Sequence, residues 1–182
     1  LIRSLLNQGA QLDSFGVGEN LIVSKSSPVF GGVYKLAASF KDGEFEPKIK
    51  LSEDPEKISN PGYKKVFRIY NEENKAEADV IMLHNESIDE SKPLTIFHPT
   101  YTWKTKSFEN YTVKELLKPL FINGECKYKH KNVMEIREYV NNELNSLWEE
   151  YRRLSNPQTY KVDLSRDLWY LKTKMIDSKK FI

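Results

Sequence analysis

The strongest constraint in this sequence is a change of hydrophobic period along the chain. Between residues 33 and 97, apolar residues fall in short runs punctuated by turn formers. From residue 133 they recur every three or four positions. The first pattern belongs to half-buried strands and the second to an amphipathic helix. The chain is therefore expected to adopt an α+β fold.

The strand region divides at its turns. Residues 33–40 read as one strand and residues 45–51 as its partner, joined at Asp42-Gly43, a dipeptide suited to the positive backbone angles of a tight hairpin. Residues 52–62 contain Pro55, Asn60, Pro61 and Gly62 and read as a loop. Residues 65–70 and 78–83 flank the polar turn 71–75, and residues 94–97 add a fifth strand. The expectation is an antiparallel β-meander over residues 28–98. Beyond it, residues 113–117 are short and ambiguous, and residues 121–128 read as a small hairpin about Asn123-Gly124. Val133, Ile136, Val140, Leu144, Leu147, Tyr151 and Leu154 then form one helical stripe. Asn132 is its expected N-cap and Asn156-Pro157 its end. A second helix is expected from Ser165, carrying Leu168, Leu171 and Met175.

Residues 1–27 are of another kind. Leu1, Leu5 and Leu6 have helical spacing and Gly9 is a helix stop. Residues 12–15 are strand-like, Gly16-Val17-Gly18 is a loop, and residues 19–24 suit a short helix. One αβα stretch of this sort occurs at the closing end of an α/β barrel. Residue 1 is Leu and lies within helical spacing, so the chain reads as a piece of something longer, with a processed N-terminus as the alternative.

Composition removes several classes. With 39% hydrophobic residues among 182, a packed core is within reach. The formal net charge of +2 is too small to argue for nucleic acid or membrane surfaces. No apolar run is long enough to span a bilayer, and no secretory leader pattern is visible. Cys126 is the single cysteine and forms no internal disulfide, so a cytoplasmic location is the simplest reading.

The segment that carries chemistry is Gly16-Val17-Gly18. Glycines let a backbone approach a ligand closely, and successive N–H groups at a helix start can converge on an anion. By itself a GxG in a loop is more often a plain turn, and position 21 lacks the third glycine of a dinucleotide fingerprint. Its context adds more. The run Gln8-Gly9-Ala10-Gln11-Leu12-Asp13-Ser14-Phe15-Gly16-Val17-Gly18, then Gly31-Gly32-Val33-Tyr34-Lys35-Leu36, resembles nicotinate phosphoribosyltransferases. So do Lys50-Leu51-Ser52-Glu53-Asp54-Pro55-Glu56-Lys57, Asn60-Pro61-Gly62 and Tyr160-Lys161-Val162-Asp163-Leu164-Ser165, in family order across nearly the whole chain.

The resemblance implies an enzyme that joins nicotinate to phosphoribosyl pyrophosphate, with ATP hydrolysis through a phosphorylated histidine, as an entry step to NAD. It implies that residues 1–27 close the α/β barrel and that residues 28–182 form a C-terminal α+β domain. It implies that Gly16, Gly18, Glu19 and Asn20 hold the 5′-phosphate of the phosphoribosyl group. The family often has Thr where this chain has Glu19; a carboxylate there repels phosphate unless it points away while the backbone N–H binds. Asn20 either caps the following helix or donates to phosphate, with capping the expected role. Lys35 either faces the phosphate or sits on an edge strand, and Gly31-Gly32 serves the backbone path. ATP and magnesium are the cofactors implied for the whole enzyme, with none bound by this fragment alone. The implied partners are nicotinate, phosphoribosyl pyrophosphate, the rest of the same polypeptide and, with oligomeric state open, a second copy in a homodimer.

No catalytic role is assigned to His84, His98 or His130; the resemblance places the phosphorylated histidine upstream. No metal site is assigned, because no Cys pair or helically spaced His pair exists. The basic run 127–131 reads as a solvated hairpin arm, and the aromatic residues, Trp148 and Tyr151 among them, as packing groups. Two other readings stay open: a phosphoribosyltransferase that uses nicotinamide, and a non-catalytic β-rich interaction domain.

Overall fold

The structure is a computed structural model that describes residues 1–25, 27–29, 31–101 and 103–178. It divides into two compact units, Leu1–Tyr34 and Lys35–Ile182.

The first unit holds two short helices, α1 (Ile2–Asn7) and α2 (Glu19–Val23). Gly9 ends α1 at a φ of 79°, and its N–H and that of Ala10 reach back to the Leu6 and Leu5 carbonyls, so the orphan C-terminal carbonyls are satisfied. No residue of either helix is buried. Residues 12–15, expected as a strand, have no ladder partner and form none. A barrel strand is held by neighbours on both sides, and this stretch supplies one strand at most.

The second unit opens with a hairpin, β1 (Ala38–Lys41) and β2 (Glu44–Pro47), turning through Asp42 and Gly43 at φ of 52° and 87°. Both strands are shorter than expected. Val33 and Tyr34 are exposed, and residues 31–37 carry no strand among the described residues. A 3₁₀ turn, Pro55–Lys57, follows, capped by the Asp54 carboxylate accepting from the Glu56 N–H.

The main sheet comprises β3 (Lys64–Tyr70), β4 (Ala76–Leu83), β5 (Leu94–Phe97), β6 (Thr105–Phe108), β7 (Thr112–Glu115) and, much later in the chain, β10 (Val162–Leu164). The intervening β8 (Phe121–Ile122) and β9 (Glu125–Cys126) form a separate two-residue hairpin at Asn123-Gly124. The α+β class holds, and the strand order is β6-β5-β10-β4-β3-β7. A meander would set β5 beside β4; instead β10 lies between them, parallel to β4 and antiparallel to β5. Neither β6 nor β10 was expected from the sequence. β6, Thr105-Lys106-Ser107-Phe108, holds a single apolar residue, and β10 is three residues long, so neither shows an apolar period.

The sheet is rolled. β6 and β7 are its two edges, yet only residues 109–111 join them. Six strands laid flat would set those edges about 24 Å apart, beyond the roughly 14 Å reach of so short a link. The concave face gathers Ile69, Ala78, Val80, Met82, Ile96, Phe108 and Tyr111 into the core. Successive side chains of a strand point to opposite faces, so Ile69 in β3 and Ala78, Val80 and Met82 in β4 share this one.

Helix α3 (Val133–Ser146) starts as expected. The Asn132 carboxamide accepts from the Glu135 N–H at 3.0 Å, and the Glu135 carboxylate accepts from the Asn132 N–H at 2.7 Å. It does not run on to Leu154. The chain breaks at Leu147 and Trp148 and resumes as the single turn α4 (Glu149–Arg152). The Lys75 ammonium takes the Asn145 carbonyl at 2.7 Å, and the Trp148 indole donates to Glu77 at 3.3 Å. These bonds to the β3–β4 hairpin satisfy the helix end and pull Trp148 out of the stripe. Tyr151 likewise leaves the main helix and meets Tyr160 edge-on.

Helix α5 (Arg166–Asp177) begins at Ser165, whose hydroxyl accepts from the Leu168 N–H. The same hydroxyl donates to Glu86 at 2.7 Å, and Glu86 also accepts from the Leu83 N–H at 2.6 Å. Burial raises the Glu86 carboxyl above its ordinary value, outweighing these two bonds, and Asp167 adds to the rise. The native state thus binds more protons than the unfolded chain in the window between the two values. Stability is present below the ordinary carboxylate value and falls as pH climbs through the raised one. Urea midpoints measured from about pH 4 to 7 are expected to show this decline, and Glu86→Gln to remove it. An identical pH slope in the variant would contradict the assignment.

Candidate functional site

Gly16, Gly18, Glu19 and Asn20 lie in one exposed stretch at the head of α2. Gly18 is the N-cap, with φ −93° and ψ −166°, and its carbonyl accepts from the Leu21 N–H at 3.1 Å. Glu19 and Asn20 are the first two helical residues, whose N–H groups have no carbonyl inside the helix to bond. Among the described residues, and chain neighbours apart, no atom lies within 4 Å of a side-chain carbon built on Gly16 or Gly18. The segment therefore presents open space beside two glycines and N–H donors at a helix start, the groups an anion uses. Glu19 carries the one charge among the four. Asn20, expected as a cap, is instead inside the helix: no side chain caps α2. The glycine preceding Glu19 already adopts the extended N-cap conformation, so the cap falls two residues before Asn20 and the helix begins at Glu19.

The other residues weighed for chemistry resolve into separate surroundings within the second unit. The Lys35 ammonium donates to the Lys57 carbonyl. The His84 ring packs against Phe45 and Tyr63 at 5.0 and 5.2 Å between centroids. The Nδ1 of His98 accepts from the Thr100 and Tyr101 N–H groups, and burial lowers its pKa. His130 lies edge-on to Tyr128. Among the described residues, no three His, Cys, Asp or Glu side chains converge in an arrangement that would hold a metal ion, and no helix is long and apolar enough to cross a membrane.

Sequence reading missed a polar network on the convex side of the sheet. The Arg68 guanidinium clasps Asp79 across the β3–β4 ladder at 2.8 and 3.1 Å and reaches Glu143 of α3 at 3.4 Å. The Tyr160 hydroxyl donates to Asp79 at 3.0 Å, and Lys114 pairs with Glu143 at 2.7 Å. Asp79 holds the Arg68 pKa well above its usual value; burial, with Asp79, raises that of Tyr160, which stays a protonated donor. In sequence, Arg68 and Asp79 occupy the polar positions of two alternating strands, which ordinarily face water. The signal that they are covered lies in residues 143 and 160, far along the chain.

Three comparisons place the chain among known proteins. The family model described as "Nicotinate phosphoribosyltransferase C-terminal domain" matches residues 63–172. A nicotinate phosphoribosyltransferase of Bacillus subtilis (strain 168) is 42% identical over 180 residues, which is 98% of this chain and 37% of that protein. One from Caenorhabditis elegans is 34% identical over 170 residues, covering 92% of this chain and 30% of that protein. The chain thus spans about a third of the length of these relatives. The crystal structure of human nicotinic acid phosphoribosyltransferase shares the fold, with a TM-score of 0.60 at 24% identity over 65% of this chain and 24% of that one. The sheet that positions β10 beside β4 lies within the matched residues, and the chain belongs to the nicotinate phosphoribosyltransferase C-terminal domain family.

Proposed function

We propose that this chain is the C-terminal portion of a nicotinate phosphoribosyltransferase, an enzyme that forms nicotinate mononucleotide and pyrophosphate from nicotinate and phosphoribosyl pyrophosphate with ATP hydrolysis. The observation that carries this reading is the relative from B. subtilis, 42% identical over 98% of the chain. Residues 1–27 close the barrel and residues 28–182 form the C-terminal domain. Gly16, Gly18, Glu19 and Asn20 hold the 5′-phosphate through backbone N–H groups, with the Glu19 carboxylate turned away. ATP and magnesium enter with the substrates bound by the rest of the polypeptide, and no step through the metal is assigned to this chain. The cytoplasm is the compartment this reading implies.

On this reading residues 1–182 alone are inactive, because the groups that position nicotinate, the phosphoribosyl moiety and ATP together lie outside them. The test is a phosphoribosyl-transfer assay on the full-length gene product, comparing nicotinate with nicotinamide, with and without ATP. Turnover of nicotinate stimulated by ATP is expected, and no product from the isolated chain. A preference for nicotinamide would replace the reading by its enzymatic rival.

The loop makes a sharper prediction. Glu19→Thr removes a charge that repels phosphate and leaves the backbone donors in place. Affinity of the intact enzyme for phosphoribosyl pyrophosphate is expected to hold or tighten. A clear loss, read as a rise in KM for that substrate alone, would mean that the carboxylate itself takes part in binding.

A further inference from the structure

We propose that the pocket between the Pro55–Lys57 turn, the end of β5 and helix α5 is a binding site for a phosphate-sized oxyanion. It encloses about 260 Å³, and Asn60, His98, Thr100 and Lys172 line it, with Glu56 at its exposed rim. That volume falls just short of the roughly 300–1,000 Å³ of sites for drug-sized ligands, so it suits a single charged group.

The central observation is Lys172. It is 5% exposed, and its ammonium donates to the Asn60 carboxamide oxygen at 2.9 Å. That partner is neutral and uses one of three hydrogens. Among the described residues Lys172 forms no ion pair. Asp163, 2% exposed, is engaged by Lys161 at 3.2 Å. A buried ammonium without an anion is costly, and burial pushes its pKa down.

His98 supplies a second donor. Its Nδ1 accepts the Thr100 and Tyr101 N–H groups at 3.1 and 3.0 Å, which leaves the ring proton on Nε2. Nε2 has no protein acceptor among the described residues. After burial and the opposing pull of Asp163, Lys104, Lys161 and Lys172 all press His98 toward its neutral form, so cations outnumber anions around it. Glu56 opposes an incoming anion, but it is exposed and screened by solvent. A tetrahedral oxyanion suits a pocket lined by Lys172, His98 and Thr100 better than a planar carboxylate, which offers two oxygens.

The test counts orthophosphate bound per chain by equilibrium dialysis on the full-length protein, wild type against Asn60→Asp. The substitution is isosteric and sets a permanent carboxylate beside Lys172, supplying from within the charge the ligand would bring. Asn60→Asp is expected to bind one phosphate fewer per chain with an unchanged or higher unfolding temperature. Lys172→Met, where it folds, is expected to weaken that same site on the order of tenfold. Equal counts in wild type and Asn60→Asp overturn the proposal. Displacement of that phosphate by equimolar acetate assigns the pocket to carboxylates and overturns it as well. Asn60 lies outside the glycine loop, so the result stands apart from whether the loop holds phosphoribosyl phosphate.

Discussion

Gly62→Ala is expected to destabilise the second unit by about 2–5 kcal/mol. Two terms add. Gly62 sits at a φ of 89°, where an L-residue costs about 1–2 kcal/mol. Its new methyl would stand 2.7 Å from Cδ2 of Leu83, with Leu171 Cδ2 a further neighbour at 3.8 Å. Leu83 must shift, an overpacking that costs about 1–3 kcal/mol. The residue is also pinned by its backbone, which donates to Ala37 at 2.7 Å and accepts from the Lys64 ammonium. Gly43→Ala is the comparison. Gly43 has a similar φ of 87° with open space beside it, so that variant carries the strain alone. Urea unfolding of both should separate them by the clash term, and equal losses would mean that the crowding at Leu83 relaxes freely.

The second large effect is expected at Arg68. Arg68→Met keeps the aliphatic length and removes the charge, leaving Asp79 with an 11% exposed side chain and no cation. Breaking a buried pair on one side costs about 3–5 kcal/mol. The lower end applies here, because the Tyr160 hydroxyl still donates to Asp79. The double variant Arg68→Met/Asp79→Leu should recover most of that loss, since neither charge is then stranded. A double variant no more stable than Arg68→Met would show that the network contributes through Glu143 and Lys114 instead, and that Asp79 was never the penalty.

These two positions also show where sequence reading stopped. Asn60-Pro61-Gly62 was legible as a loop, and the glycine as a turn former. What makes it sensitive is the Leu83 side chain, brought there because His84 donates its N–H to the Tyr63 carbonyl and closes the β3–β4 ladder beside it. Arg68 and Asp79 were legible as polar positions on two strands, and their register pairs them directly. Their burial needed α3 and Tyr160, which no local pattern connects to them. The Lys172 pocket was invisible for the same reason: residues 60, 98 and 172 meet only after β10 and α5 fold back onto the sheet.

The candidate phosphate loop behaves in the opposite way. Its four residues are contiguous, so the sequence placed them together without help from the fold. The structure then moved one role: the cap falls on Gly18, and Asn20 passes from cap to helix interior.

By itself the sequence determined what depends on neighbours a few residues apart. That includes the α+β class, the hairpin turns at Asp42-Gly43 and Asn123-Gly124, the cap Asn132, and the start of the last helix at Ser165. Each follows from a local backbone preference or a side-chain period. Only the tertiary structure decided the insertion of β10 between β4 and β5, the rolling of the sheet and the early end of α3. Those depend on ladder bonds, burial and polar contacts between residues scores of positions apart. A strand of three residues such as Val162–Leu164 carries no period of its own; the edges of β4 and β5 make it a strand.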